Sequence, residues 1–202
     1  MSQSFDIQNA TVLTREIRGE DLLYIVALSQ NCGIVQMMKK ISAKKTAQMP
    51  DIFDDINVLA DADSQSALKF MREVDIIKRR TSIGSNYECF NHASMIAECA
   101  LKNGRNIEDF TTLSARLKKA LDALATNLPP AAIHLKFLYL LVRDEGYAVR
   151  EDFYEKLTSP KKNLFAVIIK TPSENLREFE SRTEEMLDNL NGWILNNTDI
   201  LL

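Results

Sequence analysis

The apolar residues of this 202-residue chain change period near residue 80. Before that point they alternate as in strands, with Leu22, Tyr24, Val26 and Leu28 on one face and Leu23, Ile25 and Ala27 on the other. After it they recur every three to four residues, as in helices. A one-residue slip turns a strand's whole apolar set to the opposite face, so a period-two segment and a period-3.6 segment cannot exchange roles. The pattern therefore predicts an α+β chain, β then α: a small β domain over residues 1–80 and an all-helical domain over 81–202.

Turns divide the first region. Arg18-Gly19-Glu20-Asp21 separates a strand around Ala10–Thr14 from the one starting at Leu22, and Asn31-Cys32-Gly33 reverses the chain into Ile34–Met38. Runs at Ile52–Leu59 and Leu68–Ile77 bring the number of strands to about five. Five short strands leave sheet edges that closure removes, which favours an antiparallel barrel. In the second region, Tyr87–Leu101 reads as a helix that stops at Asn103-Gly104, with Phe90, Ala93, Met95, Ile96 and Ala100 as its apolar residues. Asn106 is expected to cap a second helix, striped by Ile107, Phe110, Leu113, Leu117, Leu121 and Leu124. Pro129-Pro130 opens a third, apolar around most of its circumference and closed by Gly146. Ser173–Asn196 reads as a last amphipathic helix, with Leu176, Phe179, Met186, Leu190 and Trp193 inward.

Composition narrows the function classes. With 46% hydrophobic and 26% charged residues the chain suits a globular fold and excludes collagen-like or disordered ones. A net charge of -3 argues against coating nucleic acid through overall charge. No apolar run approaches the ~18 residues a membrane span needs, and Met1–Ile17 lacks the build of a signal peptide, so a cytoplasmic protein without membrane contact is expected. Cys32, Cys89 and Cys99 give neither a disulfide framework nor, with His92, a zinc ligand set. No metal and no cofactor is expected. His134 reads as a hydrogen-bonded core histidine, and no nucleophile elbow, phosphate loop or metalloprotease motif occurs, so an enzyme is not expected. The aspartates at 51, 54, 55, 61 and 63 and the pair Glu184-Glu185 read as solvated surface.

Charge distribution is more telling than its sum. Residues 1–80 hold 11 basic and 11 acidic side chains; residues 81–202 hold 14 and 17. Within the neutral β region, Lys39, Lys40, Lys44 and Lys45 stand in a stretch without acids, leaving the third strand for a loop. Four ammonium groups there suit a phosphate chain, whose condensed counterions they would release. Arg15 and Arg18 flank the first turn, and Lys78, Arg79 and Arg80 end the region. Aromatics are few, since only Phe5, Tyr24, Phe53 and Phe70 precede residue 81, and most are expected in the core. Recognition through phosphates, tolerant of base sequence, follows.

The order of these features resembles a known family. Asn9-Ala10-Thr11-Val12-Leu13, then Gly19-Glu20-Asp21-Leu22-Leu23-Tyr24-Ile25-Val26, Gly33-Ile34-Val35 and the lysine loop with Ser42 resemble the N-terminal OB domain of the RecO family, bacterial DNA repair and recombination mediators. Tyr87, Ala93, Ala97 and Glu98 resemble its first helix, and Leu135 to Gly146-Tyr147 its apolar helix ending in Gly-Tyr. The resemblance spans about Ile7 to Tyr147. It implies a five-stranded OB-fold barrel followed by an all-helical domain. It further implies binding of single- and double-stranded DNA, strand annealing and RecA loading, with RecR and the C-terminal tail of single-stranded-DNA-binding protein as partners. The tail site lies in the family's helical domain, where Arg116, Lys118, Lys119, Lys136 and Arg143 are the available charges.

The chain departs from the family in three places. Lys40 stands where a glycine usually follows the first lysine, the basic segment holds no arginine, and the family's four-cysteine zinc module has no counterpart after Cys99. The alternative from another class is a protein-interaction adaptor whose OB barrel has lost DNA binding.

Overall fold

The computed structural model describes residues 4–41, 49–61, 67–176 and 180–202. It is a mixed α/β chain in which a closed five-stranded barrel precedes helices. Two compact units emerge: Met1–Arg80 with Gly104–Ala115, and Thr81–Asn103 with Arg116–Leu202.

The strands of the first unit are β1 (Ser4–Arg18), β2 (Leu22–Ser29), β3 (Gly33–Lys40), β4 (Asp55–Asp61) and β5 (Leu68–Lys78). They close in the order β1-β2-β3-β5-β4, every pairing antiparallel except β3 with β5. β1 is far longer than the Ala10–Thr14 core of the sequence reading because it serves two ladders. Its first part, Ser4–Thr11, pairs with β4, and Thr11–Arg18 pairs with β2. Register shifts between Ile7 and Ala10 and between Val12 and Thr14 bend it from one neighbour to the other, as bulges do. At the first shift Asn9 adopts φ 50°, its amide donating to Asn57 Oδ1 at 2.8 Å.

Inward residues fill the barrel: Ile7 and Val12 from β1, Leu23 and Ile25 from β2, Met37 from β3, Ile56 and Val58 from β4, all at most 1% exposed. Each such side chain contributes about 1.5–3 kcal/mol of burial. Both expected turns form with glycine in the left-handed region, Gly19 at φ 65° and Gly33 at φ 67°. A Cβ on Gly33 would additionally meet the Phe110 ring at 3.5 Å. β4 starts three residues later than expected. The Asp54 carboxylate accepts the Asp51 amide at 2.9 Å and holds that stretch as a turn, with Phe53 at φ 67°.

The second unit contains α1 (Tyr87–Asn103), the latter part of α2 (Phe110–Ala125), α3 (Pro130–Asp144), α4 (Ser159–Lys170) and α5 (Glu180–Asn197). Proline opens α3 and Gly146, at φ 83°, follows its end. Buried on nearly every side, α3 packs against α1, α4 and α5. Three expectations are corrected. The N-terminus of α2 is capped by Asp109, not Asn106: its carboxylate accepts the Thr112 amide at 2.9 Å and the Thr112 hydroxyl at 2.7 Å. α1 turns Ala93, Ile96 and Ala100 inward but leaves Phe90 and Met95 about 40% exposed, its core face including Cys89, His92 and Cys99 instead. Where one helix over Ser173–Asn196 is expected, Ser173–Asn175 form a 3-10 turn and α5 starts at Glu180, Phe179 lying outside the described residues; α4 has no counterpart in the sequence reading. Among the described residues, no helix is long and apolar enough to cross a membrane.

His134 is buried, but its partner is another histidine. Its Nδ1 lies 3.1 Å from Nδ1 of His92, and His92 Nε2 lies 3.7 Å from a Glu184 carboxylate oxygen, so Glu184 is not merely surface. One Nδ1 must donate and the other accept, which requires an unprotonated acceptor. Burial and the neighbouring His92 push His134 down to about 3, and burial lowers His92 despite the pull of Glu184 and Glu88. A depressed histidine stabilises the fold above its unfolded value near 6.5 and loses that contribution as pH falls through the interval toward 3. Between pH 6.5 and 5, denaturant unfolding of the wild type should lose about 1.5 kcal/mol through His134. His134→Leu should remove that part of the slope. An unchanged slope contradicts the assignment.

Candidate nucleic-acid interface

The barrel's register sets side chains in rows across its outer face. Strand pairing aligns Arg18, Leu22 and Lys40 in one row, Glu16, Tyr24, Met38 and Phe70 in the next, and Thr14, Val26, Gln36 and Leu68 in a third. Because Leu23, Ile25 and Met37 point into the barrel, their neighbours Tyr24 and Met38 point out. Phe70 is 53% exposed, and Tyr24 and Met38 are half-buried. The Arg18 guanidinium carbon lies 3.6 Å from the centre of the Tyr24 ring, a close cation–π contact, while Arg18 Nε also bonds Glu16 at 2.9 Å. Two rings, a thioether and an arginine thus occupy adjacent positions on the barrel's outer face.

Lys40 is exposed and ion-paired with Asp21 at 3.1 Å, side chains 79% and 45% exposed. Such surface pairs contribute only about 0–1 kcal/mol, so an incoming phosphate can replace the carboxylate at little cost. Lys39 donates to the Arg72 carbonyl at 3.1 Å. Lys44 and Lys45 lie outside the described residues. Arg15 Nε donates to the Pro50 carbonyl at 3.2 Å and stands 3.9 Å from Asp51. Lys78 is exposed at the end of β5.

The last two members of the basic cluster are structural. Arg79 bonds Asp54 at 3.2 Å and the Met49 carbonyl at 3.3 Å. Burial raises Asp54, and the Asp51 amide and Arg79 pull it back. Arg80 is 3% exposed, with one guanidinium nitrogen 2.8 Å from Asp55 Oδ2 and the other 2.7 Å from the Phe53 carbonyl. Asp55 also accepts the Thr11 hydroxyl at 2.7 Å. Arg80 therefore leaves the accessible surface, a correction to its grouping with Lys78, and Asp54 and Asp55 are not solvated carboxylates.

The helical unit holds two open clefts. The first has a volume of about 70 Å³ and is lined by Ala120, Ile133, Phe137 and Leu140, with Arg116, Lys119, Lys136 and Ser173 around them. Arg116 is held by Asp144 at 3.1 Å and Lys136 by the Thr171 carbonyl; burial, then the charge of Lys119, lowers Lys136. Of the five cations noted in this region, the cleft brings together Arg116, Lys119 and Lys136. Arg143 instead bonds Asp144 at 2.6 Å, and Lys118 is half-buried away from the lining. The second cleft is lined by Tyr139, Arg150, Tyr154, Phe165, Ala166, Ile169 and Lys170. No family model matches the chain, and no curated protein matches it.

The sequence reading missed the outward rings. Phe53 is buried and Phe5 packs against the barrel core, but Tyr24 and Phe70 reach the surface. The parity that Phe70 shares with Arg72 was the available signal. Exchange of Arg80 for Met should cost about 3–5 kcal/mol of barrel stability, because it strands the buried Asp55 carboxylate. Lys78→Ala should stay within about 0.5 kcal/mol. Equal midpoints in urea for the two variants would contradict this division of roles.

Proposed function

We propose that this chain is a non-enzymatic, nucleic-acid-binding mediator of recombinational DNA repair of the RecO type. Its barrel is read as an OB-fold, because the order β1-β2-β3-β5-β4 closing on β1 is the connectivity of that fold. OB-folds bind strands across the face of their second and third strands and the adjoining loops. The observation that carries the reading is the row Tyr24, Met38 and Phe70 beside Arg18 and Lys40, on that face.

Two kinds of force act there. Bases stack on exposed rings whatever their identity, which supplies about 1–3 kcal/mol per base without sequence preference. Lys39, Lys40, Lys44 and Lys45, with Arg15, Arg18 and Lys78, neutralise phosphates and release counterions. Lowering the charge of one strand reduces its repulsion of a complementary strand, which favours annealing of single strands and tolerates duplex DNA. The first helical cleft, apolar inside with three cations around it, suits an acidic, apolar peptide such as the C-terminal tail of single-stranded-DNA-binding protein. RecR as partner and the loading of RecA follow from the family resemblance. No cofactor takes part.

The adaptor reading is favoured by one specific feature. Arg15, Arg18, Lys40, Arg72 and Arg79 all have carboxylates beside them within the barrel, which leaves less charge for a polyanion.

Anisotropy of labelled single- and double-stranded oligonucleotides across a salt series separates the two. The mediator reading predicts micromolar or tighter binding at low salt. Replacing Lys39, Lys40, Lys44 and Lys45 by Ala should flatten the single-strand salt slope by about 0.7 for each phosphate that is no longer neutralised. Tyr24→Ala with Phe70→Ala should weaken binding at least about tenfold with the slope retained. No micromolar binding at low salt would reject the mediator in favour of the adaptor.

A further inference from the structure

We propose that the second helical cleft is a separate binding site for single-stranded nucleic acid, holding one base against its rings and the flanking phosphates on its cations. This inference rests on the nucleic-acid reading of the barrel but uses none of its residues. The cleft is open, has a volume of about 270 Å³, and is built by α3, the π turn Val149–Phe153, the 3-10 turn that follows and α4.

Three of its seven lining residues are aromatic. Phe165 lies at the back, 2% exposed, with Tyr139 edge-on at 5.2 Å and 81° and Tyr154 tilted at 5.8 Å and 42°. Both tyrosines are half-buried, so each keeps surface open to an incoming ring. Behind them Phe153 packs on Phe165 at 5.5 Å and on Trp193 at 6.0 Å, which fixes the platform from within. A rigid ring platform gains stacking energy without first losing side-chain entropy.

The charges are placed for an anion. Both Arg150 and Lys170 are exposed, and among the described residues neither is within ion-pair distance of a carboxylate, although the charge of Arg150 reaches Glu155. Lys162 stands 5.7 Å from the centre of the Tyr154 ring and is matched by Glu155 at 2.6 Å. Two exposed cations at the cleft, Arg150 and Lys170, fit two phosphodiester charges. The first cleft differs in having one deeply buried ring, Phe137, among aliphatic side chains and three cations; here three rings, two of them partly open, and two cations suit a planar base between phosphates.

Photocrosslinking of the full chain to a single-stranded oligonucleotide containing 5-iododeoxyuridine, mapped by mass spectrometry, tests this. Crosslinks are expected at Tyr139 or Tyr154 as well as at Tyr24 or Phe70. Arg150→Ala with Lys170→Ala, two exposed positions that leave the fold intact, should strongly reduce the helical crosslinks and lower the salt slope by about 1.4, for two phosphate contacts. Tyr154→Phe should keep the crosslink at Tyr139. Crosslinks confined to Tyr24 or Phe70 would overturn the second site and leave the barrel reading standing. Crosslinks at neither surface would overturn both. An acidic peptide that protects Tyr154 where no oligonucleotide crosslinks would assign the cleft to a peptide and overturn the proposal.

Discussion

Closure of the five-stranded sheet depends on β1 serving two neighbours. A straight strand of fifteen residues would carry its apolar side chains past one partner and into solvent. The register shifts at Ile7/Ala10 and Val12/Thr14 bend it, so that Ile7, Ala10 and Val12 all stay at 0% exposure while the strand passes from β4 to β2. The lock on that bend is the stretch just before β4. Val12 and Phe53–Asp54 exchange backbone hydrogen bonds at 2.9 Å, and the Thr11 hydroxyl and Arg80 guanidinium converge on Asp55. A buried ion pair needs further hydrogen bonds to offset its desolvation, and here both partners have them.

The outer face inherits its order from that closure. Only when β3 pairs with β5 in parallel does Phe70 come opposite Met38, and only the β1–β2 and β2–β3 registers bring Arg18 and Lys40 to either side of Leu22. Residues distant in sequence become one surface of rings and cations, on which the proposed strand-binding role of the barrel draws. The near-neutral charge of the barrel region, 11 basic against 11 acidic side chains over residues 1–80, is consistent with a local contact in place of a general coat of positive charge.

Short-range features were legible in the sequence and long-range ones were not. The strand alternation at Leu22–Leu28, the glycine turns at Gly19 and Gly33, and the proline start of α3 each depend on residues within a few positions of one another. So does the switch from strands to helices at residue 80. Two of the differences come from distant partners. Arg80 reads as surface until Asp55 and the Phe53 carbonyl enclose it. His134 reads as a core histidine of unstated partner until the packing of α1 brings His92 against it. Asp109 overtook Asn106 as the cap because its carboxylate meets both the amide and the hydroxyl of Thr112, a local signal that was overlooked. Helix α4 escaped notice because only Phe165 and Ile168 are buried along it, too few to mark a period. The lysine segment was visible from composition, but Tyr24 and Phe70 emerged as a surface pair only once the register was known.

One face of the barrel, its β2–β3–β5 rows, is proposed to receive a nucleic acid strand. Backbone amide chemical-shift mapping on the isotope-labelled chain during titration with a single-stranded oligonucleotide tests it most directly. The account predicts saturable shifts concentrated at Leu22–Val26, Gln36–Lys40 and Leu68–Phe70, with the amides of the opposite wall, Val58 to Ala60 on β4, little changed. Absence of shifts at millimolar oligonucleotide, or shifts that spare these three stretches, would contradict it.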